Sequence, residues 1–528
     1  MAVVAIGQRR TFDIPVVLIG ISAVVAAAML LPLAYLLVRV TGTGALWDEI
    51  TTPSTRDATI RTVALAAVVT ASSVVIAVPL AWLTTRTDLP LRRVWSVLFA
   101  LPLAIPSYVG AFTFVSALGP RGMLRDALAP LGVEELPALY GFRGSVIVLT
   151  LFTFPYVLLP VRAAMRGIDR SLEEAARGLG ASGWRAFIGV TVPQLRPAIA
   201  AGALLVALYT LSDFGAVSIL RFDSLTRVIY VRYTSSFDRS SAAALALLLV
   251  LLTLAIVAFE GMTRGRARYH TSARHARPRT ASLGRWRWPA VALCAAVVGL
   301  SLVLPISVIV YWLVRGLNQG ESVEFVRQAG VNSLYASGLA AGVAAAAAVP
   351  VALLTTRYPG WLSGLLEKVT YSGFALPGIT VALALVFFAA NYATPLYQTL
   401  PLLVFAYVVR FLPEALGSTR TSLLQVNPNA EKAALGLGRG RLSAFTRVTL
   451  PQVLPGVTGG AMLVFLTAMK ELPATLILSP IGFDTLATEI WATTTEAFFT
   501  RAALPALILV ALSSIPMILT VMREERRP

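Results

Sequence analysis

Cysteine and histidine are nearly absent from this chain of 528 residues, which has one cysteine and two histidines. The lone Cys294 excludes an internal disulfide and a cysteine-based metal cluster, and we expect it to be a small packing residue. Both histidines, His270 and His275, lie in one basic segment between apolar runs. A soft or imidazole metal site is therefore not expected in any apolar segment, and we assign no metal-ligating residue.

Lysine is scarce as well, and Lys368, Lys432 and Lys470 precede Val, Ala and Glu. A phosphate-binding loop needs Gly-Lys followed by Ser or Thr, so none of the three fits it. The sequence also offers no arrangement of nucleophile and base on which an enzyme would rest. We expect no catalytic residue and no cofactor bound by this chain.

Apolar residues, by contrast, make up 57% of the sequence, and the mean hydropathy is +0.76. This composition is too apolar for an ordinary water-soluble protein, so lipid must solvate much of the surface. A helix needs about 20 mostly apolar residues to cross a bilayer. The sequence predicts twelve crossings, at residues 14–40, 62–83, 94–117, 144–161, 198–220, 241–262, 289–314, 333–355, 370–390, 397–415, 456–478 and 503–522.

The net charge of +18 fits a membrane topology signal better than nucleic-acid binding. Placing both termini in the cytoplasm puts most basic residues on that side, as the positive-inside rule requires. The densest basic block, residues 263–287, contains eight arginines and no acid. We interpret it as a solvated cytoplasmic linker near anionic lipid, without a specific ligand. The first apolar run is too long for a signal-peptide core, so we expect a retained anchor.

An internal repeat divides the chain into two homologous halves. Four blocks recur in the same order, with 78–79, 83–86, 173–197 and 222–225 matching 349–350, 354–357, 431–455 and 483–486. We therefore predict a six-helix domain at 1–262, a linker at 263–287, and a second six-helix domain at 288–528. Because six is even, both halves insert in the same orientation, related by a pseudo-twofold axis along the membrane normal.

The most specific motif is a polar loop that follows the fourth and tenth apolar runs, at residues 171–197 and 427–455. Its pattern is E-A-A, three residues, Gly, nine residues, an aliphatic residue, any residue, another aliphatic residue and Pro. In the second copy the acid Glu431 lies one position early, and Lys432 takes the place of Glu174. The candidate docking residues are Glu173, Glu174, Ala175, Ala176, Gly180 and Pro193 in the first copy, and Glu431, Lys432, Ala433, Ala434, Gly438 and Pro451 in the second.

This motif resembles the EAA loop of binding-protein-dependent ABC importer permeases. The Ala-rich residues 172–178 favour a short helix, Gly180 permits a sharp turn, and Pro193 suits the start of the next membrane helix. The resemblance implies a type I importer permease in the bacterial inner membrane, whose loops dock on two copies of a separate ABC ATPase that binds ATP-Mg. It also implies an extracytoplasmic substrate-binding protein. For one copy alone, an amphipathic loop on the membrane surface is the alternative.

Other segments resemble the ferric-iron branch of this family, namely 106–109, 118–122, 212–217 and 470–475. The resemblance implies ferric iron as the cargo, with thiamine, polyamine or phosphonate as alternatives because their permeases share many of these segments. A twelve-helix secondary transporter is a further alternative, since two six-helix halves joined by a basic linker also describe that class.

Two acids, Asp213 and Glu471, occupy matching places in the repeat, each twenty residues after the Pro of its EAA loop. A carboxylate facing lipid costs about 3 kcal/mol on translocon-based scales, so both should face other helices or water. We predict that each lies inside the helix after the loop, and that Lys470, which points about 100° away on a helix, is not a direct partner of Glu471. Our hypothesis is that the three residues line the translocation path as a gate or a transient cation contact. Hydrogen bonding that only fixes packing is the alternative.

Overall fold

The computed structural model describes residues 16–43, 45–120, 122–132, 137–168, 171–235, 239–263, 281–322 and 324–526. Within these ranges every regular element is a helix, and one isolated parallel β-bridge joins Thr87 to Ala281. The predicted all-α polytopic fold is therefore confirmed.

The first half contains helices of very different lengths, because long apolar helices alternate with short polar or amphipathic ones. In chain order they are α1 (Val16–Thr43), α2 (Ala45–Thr51), α3 (Pro53–Arg86), α4 (Arg92–Leu98), α5 (Ser107–Leu118), α6 (Met123–Leu128), α7 (Gly141–Gly167), α8 (Ser171–Gly178), α9 (Gly183–Ala186), α10 (Val192–Ser212), α11 (Gly215–Ile219), α12 (Leu225–Thr234) and α13 (Arg239–Thr263).

The second half repeats this order from its second long helix onward. Its helices are α14 (Arg287–Val298), α15 (Leu304–Asn318), α16 (Glu324–Arg357), α17 (Trp361–Tyr371), α18 (Gly378–Tyr392), α19 (Leu400–Gln425), α20 (Pro428–Gly436), α21 (Arg441–Ala444), α22 (Leu450–Met469), α23 (Pro473–Leu478), α24 (Leu486–Thr495) and α25 (Phe499–Arg526). A π-helical turn, Gly299–Val303, joins α14 to α15 without a break.

Ten of the described helical segments are long and apolar enough to cross a membrane, and two bent helix pairs raise the number to twelve if each pair is one span. These segments overlap the twelve predicted apolar runs in order. Two predicted runs, 94–117 and 370–390, are nevertheless not single helices, because the chain bends there by 97° and 104°. Pro106 and Pro377 stand at the two bends with extended backbone. Proline disfavours helical geometry in the preceding residue and lacks an N–H, so each helix ends and restarts.

Each half is built around three packed helices, which are α3, α7 and α10 in the first half and α16, α19 and α22 in the second. The halves also exchange their first helices, since α1 packs on α16, α17 and α18 while α15 packs on α5. Fully buried side chains such as Val69, Leu149 and Val464 line these contacts, and Cys294 is buried as a packing residue. In lipid, such contacts are stabilised by close van der Waals packing more than by exclusion of water.

Small residues in the second long helix of each half predict close helix approach, but the glycines are not the residues that provide it. A β-carbon added to Gly338 or Gly342 would meet no atom within 4 Å. The buried small residues of α16 lie instead on the neighbouring stripe, which includes Ala340 and Ala344, both fully buried. Packing therefore uses alanine at four-residue spacing.

The predicted linker 263–287 falls largely outside the described residues, as do both histidines. Its described end is attached to the first half just after α3. The N–H of Asp88 donates to the carbonyl of Ala281 at 3.1 Å, and the Asp88 carboxylate accepts from the N–H of Leu283 at 2.8 Å. The chain thus enters the second half from a fixed point beside α3.

Candidate functional site

The first EAA loop forms a sharp knuckle between α8 and α9. Gly180 has a φ of +90°, in the left-handed region that favours glycine. The N–H of Ala181 donates to the carbonyl of Ala176 and that of Gly180 to the carbonyl of Arg177, both at 3.0 Å. This is the hydrogen-bond pattern of a Schellman helix end. The turn predicted at Gly180 is therefore present.

The second EAA loop has the same backbone. Gly438 has a φ of +82°, and the N–H groups of Arg439 and Gly438 donate to the carbonyls of Ala434 and Leu435 at 3.2 and 3.0 Å. In both copies a π-helical turn, at 187–191 and 445–449, leads into the next long helix. Pro193 and Pro451 closely follow these turns, so helical backbone continues through each proline, and the proline, which has no N–H, lies where the helical hydrogen-bond ladder changes its register.

A carboxylate fastens each knuckle to the π-helical turn that follows it. The hydroxyl of Thr191 donates to Glu173 at 3.2 Å, and the hydroxyl of Thr449 donates to Glu431 at 2.7 Å. Glu431 is thus the counterpart of Glu173, not a displaced Glu174. The real difference between the two loops is at the next position, where both Glu174 and Lys432 are exposed.

In each half, the arginine that ends the second long helix makes contacts near the EAA loop. In the second half, Arg357 at the end of α16 approaches Glu431, with 2.8 Å between Nη2 and Oε2. Its repeat counterpart Arg86 donates to the carbonyls of Met165 and Ile168, at 2.6 and 3.2 Å.

Each knuckle exposes a leucine directly before its glycine. Leu179 is 89% exposed and Leu437 is 85% exposed. An apolar side chain that extends from a polar loop has no role in packing this chain, so it is a candidate contact for a partner. Sequence reasoning did not single out these leucines, although the repeat places both in the same position.

Asp213 and Glu471 do not lie inside continuous helices, so that prediction is wrong. The helix α10 ends at Ser212 and α22 at Met469, and a short helix restarts after each acid. Gly215 and Pro473 follow the acids closely, and both residue types disfavour a continuous helix. The predicted runs 198–220 and 456–478 are therefore each two helices. Lys470 correspondingly lies at the end of α22 rather than within it.

The Asp213 carboxylate is held by the helix that restarts after the break and by the start of α5. One oxygen accepts from the backbone N–H groups of Ala216 and Val217 at 3.0 and 3.3 Å, so the acid caps α11. The other oxygen accepts from the hydroxyl of Ser107, which begins α5 after the Pro106 bend. An anion at a helix N-terminus is favoured by the free N–H groups and the helix dipole.

Glu471 has the same capping role but a different partner. Its carboxylate accepts from the N–H of Ala474 at 3.2 Å and pairs with the guanidinium of Arg410 from α19. The counterpart of Ser107 is Gly378, and a β-carbon there would come within 2.5 Å of both Arg410 and Glu471. Glycine therefore leaves room for an arginine where the first half has a serine.

Both acids line one cavity of about 220 Å³, to which both halves contribute. Lys470 lines it too and donates to the carbonyl of Leu103 in the first half at 3.2 Å. Because the helix ends at Met469, the 100° separation expected for Lys470 and Glu471 on one helix does not apply here. Sequence reasoning missed Arg410 and Glu414, which also line the cavity. The signal was available, because both interrupt the apolar run 397–415, and charges inside membrane helices are functional candidates.

A family model for the binding-protein-dependent transport system inner membrane component matches residues 73–269 and again residues 338–527. The two matches together cover well over half of the chain. The chain belongs to this family. It is accordingly a multi-pass permease of the inner membrane and a subunit of a transport system.

Individual relatives of this permease have transport names. The Fe(3+)-transport system permease protein FbpB 2 of Haemophilus influenzae is 36% identical over 81% of this chain and 82% of its own length. The putative ferric transport system permease protein FbpB 1 of the same organism is 26% identical over 77% of this chain and 67% of its own length. The sulfate transport system permease protein CysT of Escherichia coli is 28% identical over 48% of this chain but 93% of its own length. A whole relative of that kind thus corresponds to about half of this permease.

Proposed function

We propose that this permease is the membrane subunit of an ATP-driven importer and that its two EAA loops bind two copies of a separate ABC ATPase. The observation that carries this proposal is the duplicated knuckle, with the same left-handed glycine, the same carboxylate–threonine contact and the same exposed leucine. Such a surface has the rigidity needed to transmit the closure of a partner. ATP-Mg binds to that partner, and this chain binds no cofactor.

The cargo is ferric iron, delivered by an extracytoplasmic substrate-binding protein. This part of the proposal is supported by the 36% identity to a permease named for Fe(3+) transport, which extends over 81% of the chain. With twelve crossings and the basic residues inside, both termini and both EAA loops face the cytoplasm.

The path crosses the cavity between the halves, where Asp213, Lys470 and Glu471 act as a gate or as transient contacts for the cargo. Their side chains are held by groups from other helices, which agrees equally with a gate and with packing. A gate can be distinguished from a packing contact, because the charged contacts of a gate must open during the transport cycle. Removing the charge should therefore change transport in a gate.

Reconstitution tests the proposal directly. Permease and ATPase are placed in proteoliposomes with the binding protein, and uptake of radioactive iron is measured with ATP, without ATP, and with an ion gradient alone. We expect uptake only with ATP and the ATPase. Uptake driven by the gradient alone would instead identify a secondary transporter.

The same vesicles decide the cargo. Thiamine, polyamine, phosphonate and sulfate are offered in turn, each with a matching binding protein. Uptake of one of these without uptake of iron would retain the importer and overturn the iron assignment. Uptake that survives deletion of both EAA loops would overturn the importer assignment itself.

A further inference from the structure

The residue directly after each capping acid is apolar, and in both halves it contacts the opposite half of the chain. Phe214 and Leu472 occupy these matching places in the repeat, and both are 1% exposed. The ring centroids of Phe214 and of Trp491 in the second half are 5.1 Å apart. A β-carbon on Gly215 in the first half would lie 3.2 Å from Cδ2 of Leu472. The two halves therefore meet through buried apolar side chains immediately beyond the acids.

The neighbours of Phe214 place it near the pseudo-twofold axis. Its ring centroid lies 4.7 Å from that of Tyr230 and 5.1 Å from that of Trp491. These two residues are counterparts in the repeat, because each lies five positions after the start of its helix, α12 or α24. A side chain that contacts both members of such a pair lies between the halves. Transport paths run through this region in proteins built from two repeats.

The aromatic contact lies on the side of the cavity away from the EAA loops. Helices α10 and α22 run from the EAA loops toward the acids, and they contribute Leu205, Leu208 and Thr467 to the cavity before the acids are reached. Tyr230 and Trp491 come after the acids, in short helices that precede the last crossing of each half. Since the EAA loops face the cytoplasm in the proposed topology, the contact lies on the extracytoplasmic side.

We propose that Phe214 and Leu472 form the extracytoplasmic gate of the permease, which is closed in this structure by their contacts with the opposite half. The proposal rests on the proposed function, since it takes the cavity as the transport path. Phe214 and Leu472 line the cavity, whereas Tyr230 and Trp491 lie behind them, outside its lining. An apolar constriction of this kind excludes ions and water, because it offers no polar group to replace their hydration.

The acids contribute to the gate through the backbone. Asp213 and Glu471 cap the short helices that follow them, which fixes the chain at Phe214 and Leu472. Because each gate residue contacts the opposite half, the gate opens when the halves move apart at this point.

A single cysteine in the cavity can report whether the gate is open. Ser212 lines the cavity, and Cys294 is the sole cysteine of the chain. Ser212→Cys combined with Cys294→Ala therefore supplies one reactive thiol on the path. A membrane-impermeant maleimide is added outside right-side-out vesicles that contain this reporter permease and its ATPase, without ATP, and the labelling rate is measured. We expect slow labelling, because the closed gate separates the thiol from the outside.

Phe214→Ala in the reporter permease should raise the labelling rate on the order of tenfold, because losing one aromatic pair changes a population ratio by about that factor. Trp491→Ala removes the same contact from the other half and should have the same effect. Phe214→Leu installs the residue of the second half and should label more slowly than Phe214→Ala.

The matched control is Phe112→Ala. Phe112 is also fully buried and stacks on Phe499 of the second half, with ring centroids 6.2 Å apart, but it does not line the cavity. Its replacement removes a comparable aromatic contact between the halves, away from the proposed gate. Labelling of this variant should therefore stay slow.

The outcomes separate the gate from the path. ATP supplied inside the vesicles, with iron-loaded binding protein outside, should speed labelling of the reporter permease, because the path must open outward during transport. If it does so but Phe214→Ala and Trp491→Ala label slowly without ATP, the path stands and the gate is wrong. If labelling is slow in every protein and condition, the cavity is not the path, and the gate fails with it. Fast labelling of the reporter permease without ATP, or equal labelling of Phe112→Ala and Phe214→Ala, would also overturn the gate.

Discussion

Replacing the left-handed glycines of the EAA loops should uncouple the permease from its ATPase without unfolding the membrane helices. Gly180 and Gly438 have φ values of +90° and +82°, and a β-carbon on either would meet no atom within 4 Å. The expected effect is therefore one of backbone conformation and not of crowding. The left-handed region costs an ordinary residue about 1–2 kcal/mol, and a β-branched residue in a sparsely populated region about 3 kcal/mol.

These costs are large for a loop that must hold one shape to bind a partner. A difference of about 2 kcal/mol lowers the ratio of the native turn to its alternatives roughly 30-fold. The matched controls are Gly178 and Gly436, two residues earlier, which end the preceding helices and also have open space around them. Alanine there should be neutral or stabilise the helix by up to about 1 kcal/mol.

The assay measures ATPase affinity by co-purification and ATP-dependent uptake in proteoliposomes for Gly180→Val, Gly438→Val, Gly178→Ala and Gly436→Ala. We expect both valine variants to enter the membrane normally and to lose affinity and uptake, whereas both alanine variants keep them. If the valine variants bind the ATPase with normal affinity, the left-handed turn is not required for docking. If all four variants lose binding, added bulk at the interface is the cause and the conformational reasoning is refuted.

Three further outcomes are expected. The EAA loops should respond unequally to charge removal, with Glu174→Ala and Lys432→Ala changing ATPase affinity by different amounts; equal losses would contradict this asymmetry, and unchanged affinity in both would mean that these exposed charges do not contact the partner. Arg357→Gln should lower stability by only about 1 kcal/mol, because partly exposed ion pairs contribute little, yet should reduce uptake more than ATPase binding; intact uptake would limit this ion pair to a structural role. Asp213→Asn combined with Glu471→Gln should alter cargo uptake and basal ATPase activity if the charges form a gate, and unchanged values would favour packing.

The sequence was sufficient to predict features that repeat along the chain. The twelve apolar runs predicted the long helical segments. The E-A-A spacing with Gly180 predicted a sharp turn, and Gly180 indeed has left-handed backbone geometry. These features depend on local properties, namely hydropathy over a helical length and the conformational freedom of glycine. The same local signals explain why the twelve predicted runs overlap the described helical segments in order.

Features that depend on contacts between distant residues were not predictable in the same way. The break before Asp213 was hidden because a continuous apolar run surrounds it, although Gly215 gave a weak local signal. The partner of Glu471 was missed because Arg410 lies sixty-one positions away, on another helix. Likewise, the repeat aligned Glu431 with Glu173, but their matching threonine contacts, each eighteen positions along the chain, were not predicted.

The asymmetry between the halves yields a final prediction about Glu471. In a dimer of identical chains both acids would have the same partner, whereas a fused chain lets one half use a serine and the other an arginine. At the offset that aligns the EAA loops, Phe152 is the first-half counterpart of Arg410. Arg410→Phe therefore installs the residue of the first half and leaves the buried carboxylate of Glu471 without its cationic partner, which should cost about 3–5 kcal/mol. Gly378→Ser alone should also destabilise, because its β-carbon would lie 2.5 Å from Arg410.

Together the two changes recreate the arrangement around Asp213, in which a serine hydroxyl donates to the acid. The double variant should therefore be more stable than the sum of the two single effects predicts, by about 1–3 kcal/mol for a charge-assisted hydrogen bond and relief of the clash. Thermal unfolding of the purified permease–ATPase complex measures this coupling for all four proteins. Strict additivity would show that the serine does not reach the carboxylate, and the proposed equivalence of the two acids would then fail at the level of their contacts.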